Sequence, residues 1–390
     1  MSTSPKTPPN TPLNIPFVDL AAQQRRIRTD LDQRIAAVLD HGAYVLGPEV
    51  SELEEALAAR AGCRHVISVS SGTDALLAVL MAKNIGPGDA VFMPAFTFTA
   101  TAEVILQVGA TPVFVDVDET TFNLDADCLR AAIAQITDDG ALQPAAVIAV
   151  DLFGQPADYR AINAIAAEHN LFVLGDAAQS FGASYENRAV GNLATATATS
   201  FYPAKPLGCY GDGGAIFTDD DDVAATCISI RNHGQSADRY DIVRLGLNAR
   251  LDTLQAAVLL SKLTIFDDEI RLRRRVARRY TERLGDHAEA IETPIEMPGR
   301  NSIWAEYTIK LAAGRRDDIA AALKARGIPS QIYYPLPMHL QPVYLPYSGG
   351  PGSLPVSEQL SKQVLALPMH PYLDDAAIDM ICDTLIDAIP

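Results

Sequence analysis

The feature that most limits the folds open to this chain is an alternation between residues 65 and 218. Short apolar runs, "HVISVS" (65–70), "AVFMP" (90–94), "TPVFVDV" (111–117), "AAVIAVDLFG" (145–154) and "LFVLGD" (171–176), are separated by helical patterns at 74–83, 97–107, 125–135 and 157–168. Continuous apolar runs of this kind are the mark of strands covered on both faces. "TATATSF" (195–201) and "GAIFT" (214–218) add two more strands. The pattern predicts an α/β fold: a large mixed, mostly parallel sheet with helices on both sides. A helix is expected over 20–39 and a long helical stretch over 251–284. "YTIKL" (307–311), "DDIAAALKARG" (317–327) and a last helix near 374–388 predict a smaller C-terminal α+β domain. The expected division is a disordered tail (1–12), a large domain (13–255) and a small domain (256–390).

Several function classes are disfavoured at once. The net charge of −17 repels nucleic acid, and an anionic small molecule would need a locally positive pocket. The basic run "RLRRRVARR" (271–279) sits beside "FDDEI" on a helix and reads as a solvated face, while "DDDD" (219–222) suits a helix first turn. Five scattered cysteines without a CxxC pair argue against a disulfide framework and fit a reducing compartment. Cys63 and His65 have no answering pair, so no metal site is expected. The N-terminal "MSTSPKTPPNTP" lacks the features of a targeting segment, and no apolar run is long enough to span a bilayer; the expected location is the cytoplasm, without membrane contact.

Ligands of parallel sheets bind beyond the carboxyl ends of strands, and three groups fall at such ends. In "VSSGTDAL" (69–76), Gly72 and Thr73 open a helix whose N-terminus can cradle a phosphate; the same residues read equally well as ordinary helix capping. Asp176 ends the run "LFVLGD" and is either a site carboxylate or the cap of the next turn. Lys205, in "SFYPAKPLGCYGDGGA" (200–215), stands among small and apolar residues without an adjacent acid. Alone it would be a surface lysine; desolvated, its amine becomes a nucleophile toward a carbonyl. Together the three supply an anchor for a phosphate, an anion for a pyridinium nitrogen and an amine for an aldehyde. These are the needs of pyridoxal 5'-phosphate.

The ordered motifs "VSSGTDALLAVL", "PAFTFTATAE", "GDAAQSFGA", "SFYPAKPLGCYGDGGA" and "GLNARLDTLQAA", with "LPMHP" at 367–371, resemble those of the DegT/StrS family of nucleotide-sugar aminotransferases. The resemblance implies the fold-type-I (aspartate aminotransferase-like) architecture and a homodimer with shared active sites. It implies that Lys205 joins the cofactor aldehyde and that Asp176 pairs with the ring nitrogen. Gln179 would lie near the ring, Phe98 would stack on it, and Gly72, Thr73 and Ser200 would hold the phosphate. Asn248 would reach that phosphate from the partner subunit, and Arg250 would contact an acidic substrate group there. Tyr333 stands where related sequences often carry histidine, and Tyr334 keeps its place.

The implied reaction is ping-pong transfer of an amino group from L-glutamate to a UDP-sugar used in surface-polysaccharide synthesis. The string "KPLGCYGDGGA" is most similar to members that aminate C3 of UDP-2-acetamido-2-deoxy-3-oxo-D-glucuronate. A dTDP-3-oxo-6-deoxyhexose is the alternative substrate, and a non-catalytic sensor on the same fold is the alternative class.

Overall fold

A computed structural model describes residues 15–389; the tail expected over 1–12 lies outside the described residues. Helix α1 (Leu20–His41) starts where the Asp19 carboxylate accepts from the Ala22 N–H at 2.8 Å, and it stops at Gly42 in the left-handed region. Helix α2 (Pro48–Ala61) was not expected from the sequence, although Val50, Leu53, Leu57 and Ala61 repeat at helical spacing and are all buried.

The alternating region follows the predicted order: β1 (His65–Val69), α3 (Gly72–Ala82), β2 (Asp89–Pro94), α4 (Ala100–Gln107), β3 (Thr111–Val115), α5 (Ala126–Asp139), β4 (Gln143–Val150), α6 (Tyr159–His169) and β5 (Phe172–Asp176). After the short β6 (Ser184–Tyr185) and β7 (Arg188–Ala189) come β8 (Ala196–Ser200) and β9 (Gly214–Thr218). The main sheet has the order β1-β9-β8-β5-β4-β2-β3. All neighbours from β3 to β8 are parallel, whereas β9 runs antiparallel to both β8 and β1. Side chains alternate between two cores: Ala90, Phe92, Val147 and Ala149 face one side, and Val91, Met93, Ala146 and Ile148 the other. The sheet is therefore apolar on both faces.

Helix α7 (Asp221–Arg231) begins in the acidic run, where Asp220 accepts from the N–H groups of Asp222 and Val223. The stretch expected as one helix over 251–284 is two, α8 (Thr253–Leu263) and α9 (Phe266–Leu284), separated at Thr264 and Ile265. The break joins two β-branched residues to an acidic first turn, Asp267–Glu269, which favours a new helix start. Helix α8 packs on α1 and α2, and its Ala256 and Leu259 belong to the first core. The basic run on α9 is more than a solvated face. Arg273 is buried, Arg279 makes two hydrogen bonds to Asp379 at 3.0 and 2.7 Å, and Arg283 pairs with Asp383.

The remaining chain forms β10 (Ile291–Glu292), β11 (Arg300–Asn301), β12 (Tyr307–Leu311), α10 (Arg316–Ala325), α11 (Pro355–Gln363), β13 (Val364–Leu367) and α12 (Asp375–Asp387). Strands β10, β12 and β13 make a small antiparallel sheet over a separate core that includes Val276, Tyr280, Ile309, Leu365 and Ile381.

The reversed strand β9 positions the site. Its first residue, Gly214, pairs with Val69 at the end of β1 and with Ser200 at the end of β8. A Cβ on Gly214 would lie 2.5 Å from the backbone of Ser71 and 2.7 Å from the Gly72 nitrogen, and backbone cannot yield there. We expect Gly214→Ala to destabilise the protein by about 1–3 kcal/mol through overpacking. Gly285→Ala, which meets nothing within 4 Å, should be neutral or slightly stabilising. Urea denaturation midpoints of the two variants check both expectations.

Candidate active site

Three strand ends of the main sheet meet on one edge. Val69 closes β1, Asp176 closes β5 and Ser200 closes β8, with Asp176 in register with Val150 on one side and Ala198 on the other. They open into a cavity of about 700 Å³. Beyond Ser200 the chain makes a compact loop before returning as β9. The Lys205 N–H donates to the Tyr202 carbonyl at 2.8 Å, and the Cys209 N–H donates to the Phe201 carbonyl at 2.8 Å. Gly208 permits this fold-back, since a Cβ there would sit 2.5 Å from the Tyr202 oxygen. The loop turns Lys205 into the cavity.

Helix α3 starts at the cavity wall. Ser71 caps it, its hydroxyl accepting from the Asp74 N–H at 3.0 Å, so Gly72 and Thr73 supply the free N–H groups of the first turn. A Cβ on Gly72 would lie 2.7 Å from the Ser200 Cβ, which keeps the helix end tight against the end of β8. Capping and anion binding are thus divided between neighbours: Ser71 does the first, and Gly72 and Thr73 face the cavity.

Asp176 is buried, with its oxygens accepting from the Thr101 hydroxyl at 2.9 Å and the Ala178 N–H at 3.2 Å. Burial pushes its pKa up; the Thr101 and Ala178 hydrogen bonds and the Lys205 charge oppose the rise. Behind it, Asp151 accepts from the Ser180 hydroxyl at 2.7 Å and is pushed up to about 7, mainly by burial. The Lys205 amine is shifted the other way: burial lowers its pKa, against the raising influence of Glu306 and then Asp176. A lysine so placed has a larger neutral fraction, and neutral amine is the form that attacks a carbonyl.

Phe98 lines the cavity and is 57% exposed, so its ring is not part of the core. Gln179 is held at both ends, its oxygen accepting from the Phe153 N–H at 2.7 Å and its nitrogen donating to the Tyr334 hydroxyl at 3.3 Å. Tyr333 and Tyr334 close one wall. Among the residues expected from the sequence, Gly72, Thr73, Phe98, Asp176, Gln179, Ser200, Lys205, Tyr333 and Tyr334 all line this cavity within one chain. Asn248 and Arg250 do not. Asn248 bridges to Asn232, and Arg250, whose backbone bridges to Val69 at the end of β1, donates from its guanidinium to the Asn232 side chain at 2.8 Å. Neither would be expected to line its own chain's cavity if it serves a partner's.

Two residues around the site carry no signal that singles them out in the sequence. Thr101 lies one position into α4, inside the quoted "PAFTFTATAE", and its proximity to Asp176 arises only because β2 and β5 flank β4. Glu306 stands just before β12 of the small sheet and carries no local motif.

The arrangement fits a phosphate-bearing aldehyde cofactor: a helix N-terminus that a Cβ at Gly72 would clog, a buried carboxylate at the opposite side, and a desolvated amine in the same cavity. This is the donor set of a pyridoxal-phosphate enzyme. The DegT/DnrJ/EryC1/StrS aminotransferase family matches residues 25–386. A relative from Pseudomonas aeruginosa, "UDP-2-acetamido-2-deoxy-3-oxo-D-glucuronate aminotransferase", is 49% identical over 95% of this chain and 99% of its own. The crystal structure of a DegT DnrJ EryC1 StrS aminotransferase from Brucella abortus superposes with a TM-score of 0.92 at 51% identity, over 96% of this chain and 99% of that one. That of NtdA from Bacillus subtilis with bound cofactor PMP gives 0.88 at 29% identity, over 98% and 86%. The chain belongs to the DegT/DnrJ/EryC1/StrS family and is a pyridoxal 5'-phosphate-dependent sugar aminotransferase. Its large, mostly parallel sheet with a smaller α+β part is the predicted fold-type-I architecture.

Borohydride reduction of the cofactor-loaded protein, followed by peptide mapping, should place the pyridoxyl label on Lys205 and leave Lys205→Ala unlabelled. A label elsewhere overturns the placement of the reactive amine.

Proposed function

We propose that this enzyme transfers an amino group from L-glutamate to C3 of UDP-2-acetamido-2-deoxy-3-oxo-D-glucuronate, in the cytoplasm and on the route to a surface polysaccharide. The observation that carries the substrate is the 49% identity, over 95% of this chain, to the Pseudomonas aeruginosa relative of that name. Among the described residues no helix is long and apolar enough to cross a membrane.

When bound, pyridoxal 5'-phosphate supplies an aldehyde that accepts and passes on an amino group and a ring that draws off electrons. The chain's own residues do the rest. Gly72, Thr73 and Ser200 hold the phosphate at the α3 N-terminus, and Phe98 offers its exposed face for stacking. Asp176 holds the proton of the ring nitrogen, and Thr101 keeps that carboxylate ionised and oriented. Lys205 would hold the cofactor through its aldehyde and, as a free amine, would take and return the proton at the donor Cα. The kinetics are accordingly ping-pong. Gln179 holds Tyr334 by a hydrogen bond in the cavity wall, and Tyr333 would border the sugar.

The active unit is a homodimer in this reading. The segment between α7 and α8 exposes Tyr240 (87%) and Leu245 (83%), with Ile242 and Val243 also exposed. Apolar side chains concentrated on one segment seek a partner surface. Burying it would carry Asn248 toward the partner's phosphate site and Arg250 toward the partner's substrate carboxylate. The division into a cofactor-holding unit (13–255) and a smaller unit (256–390) belongs to the same proposal. It is supported by the separate core of the small sheet of β10, β12 and β13, while α8, which spans the boundary, packs on α1 and α2.

Enzyme converted to its amino form with L-glutamate should aminate UDP-2-acetamido-2-deoxy-3-oxo-D-glucuronate and not dTDP-3-oxo-6-deoxyglucose, read by mass spectrometry of the sugar product. Reaction with the deoxysugar alone overturns the substrate. In the same assay Arg250→Ala should raise KM for the uronate by about tenfold or more, the worth of a charge-assisted pair, and leave an uncharged analogue nearly unaffected. Thr101→Val tests the acid. Asp176 already has a raised pKa, its ionised form being lost as pH falls; removing the hydroxyl raises that pKa further. The variant should hold the cofactor about tenfold more weakly and release it on acidification at a higher pH than the parent, followed by equilibrium dialysis.

A further inference from the structure

Residues 97–101, between β2 and the first turn of α4, meet the cavity on one side and a loop from far along the chain on the other. Thr97, Phe98 and Ala100 line the cavity, and the Thr101 hydroxyl donates to Asp176 at 2.9 Å. The Thr97 and Thr101 hydroxyls are 3.2 Å apart, so these two side chains turn the same way. Thr99 turns elsewhere. It stands at the N-cap position of α4, where a threonine hydroxyl ordinarily accepts from an N–H of the first turn, yet it makes no such bond. Its hydroxyl is hydrogen-bonded instead to the Tyr344 phenol at 2.6 Å, and that phenol also reaches the Thr99 carbonyl at 3.5 Å. A local cap is given up for a contact 245 positions along the chain.

The phenol is itself well fixed. Tyr344 is buried, and its ring packs against Phe114 of β3 with centroids 6.0 Å apart. It belongs to the excursion between Tyr334 and α11, whose Met338 N–H donates to the Ala95 carbonyl at 2.8 Å, just ahead of Thr97. Met338 and Tyr344 both enter the core on the Val91 and Met93 face of the main sheet. The far end of the excursion is held twice. Asp116, just past β3, accepts from the Val356 and Ser357 N–H groups at 2.9 and 2.8 Å and so caps α11 from outside. The buried His339 lies 3.1 Å from Glu358 in the first turn of that helix. The excursion thus leaves the cavity wall at Tyr333 and Tyr334 and comes back to grip residues 97–101 from behind.

We propose that Tyr344 is a positioning residue for the cofactor: its bond to Thr99 sets the direction of residues 97–101, and with it the Phe98 ring and the Thr101 hydroxyl. The place of Thr99 carries this. Phe98 precedes it directly and Thr101 follows two positions on, so a turn of the Thr99 backbone moves both. Left without the phenol, the Thr99 hydroxyl falls back on the first turn of α4, the local bond that threonine favours at a helix start. Phe98 then loses its fixed presentation, because its exposed ring has no core packing of its own to hold it. Tyr344 acts on the site only through Thr99.

This role rests on the reading that Phe98 stacks on the cofactor ring, and the test separates the two. Binding of pyridoxal 5'-phosphate is measured by equilibrium dialysis for the parent, Tyr344→Phe, Thr99→Val, the double variant and Phe98→Ala. Phenylalanine keeps the packing on Phe114 and removes only the hydroxyl; valine keeps the shape of threonine. Tyr344→Phe and Thr99→Val should each weaken cofactor binding about fivefold or more, the worth of one buried hydrogen bond. The double variant should bind no more weakly than the weaker single variant, because both remove the same bond. Visible circular dichroism per bound cofactor should change alike in these three, which a loss of stability alone does not produce. A dissociation constant within about twofold of the parent in Tyr344→Phe, or single effects that multiply in the double variant, overturns the role of Tyr344. If Tyr344→Phe does not fold, Thr99→Val decides alone by the same twofold criterion. Unchanged cofactor binding in Phe98→Ala removes the stacking and the Tyr344 role with it. Weakened binding there, beside an unmoved Tyr344→Phe, removes only the Tyr344 role.

Discussion

The close approach of three backbone segments at the carboxyl edge of the sheet governs the rest of the structure. Strand β9 enters between β8 and β1 in the reverse direction, so that Gly214 faces Val69 and Ser200 at once. No side chain fits at Gly214 or Gly72, and their absence lets the α3 N-terminus press against the end of β8. The free N–H groups of that helix and the Lys205 loop are in this way held on one rim. The loop itself is short and closed by its own backbone hydrogen bonds, which leaves the lysine little choice of direction.

Electrostatics then distinguish the groups collected there. Burial acts on all of them, but with opposite sign for acids and amines: Asp176, Asp151 and Glu306 rise, and Lys205 falls. Hydrogen bonds decide which acid remains available as an anion. Asp176 receives the Thr101 hydroxyl and the Ala178 N–H, whereas the Glu306 carboxylate has charge alone to oppose its desolvation. The same cavity thus holds one carboxylate fixed by hydrogen bonds and another whose desolvation is opposed by charge alone. On a chain of net charge −17, the lysine and the helix end also supply the local positive potential that a phosphate requires.

The second core contributes more than a cover. Tyr333 and Tyr334 pack against a cluster that joins Phe96, Phe122 and Val150 to Leu360 and Val364, and Glu306 enters the cavity from just before β12. The basic run on α9, which by composition reads as solvated surface, is divided by the helix period. Arg273 turns inward, and Arg279 and Arg283 pair with acids on α12. Helix α2 escapes a reading of the sequence for a related reason. Its many glutamates dilute the apolar signal, although the buried stripe is regular.

What the sequence determined by itself was the seven strands of the main sheet and the glycines at their ends, and it singled out Lys205 and Asp176 as candidates. Apolar periodicity and local residue type are written in neighbouring positions, and five ordered motifs carry the family. What only the tertiary structure decided was which distant groups come together: Thr101 against Asp176 through the strand order, Glu306 in the same cavity as Lys205, and Asn248 and Arg250 outside their own cavity. Such neighbours depend on sheet order and on how two cores meet, and neither leaves a periodic trace in the chain. The size and even the direction of an electrostatic shift follow from burial and approach, and these exist only once the chain has folded.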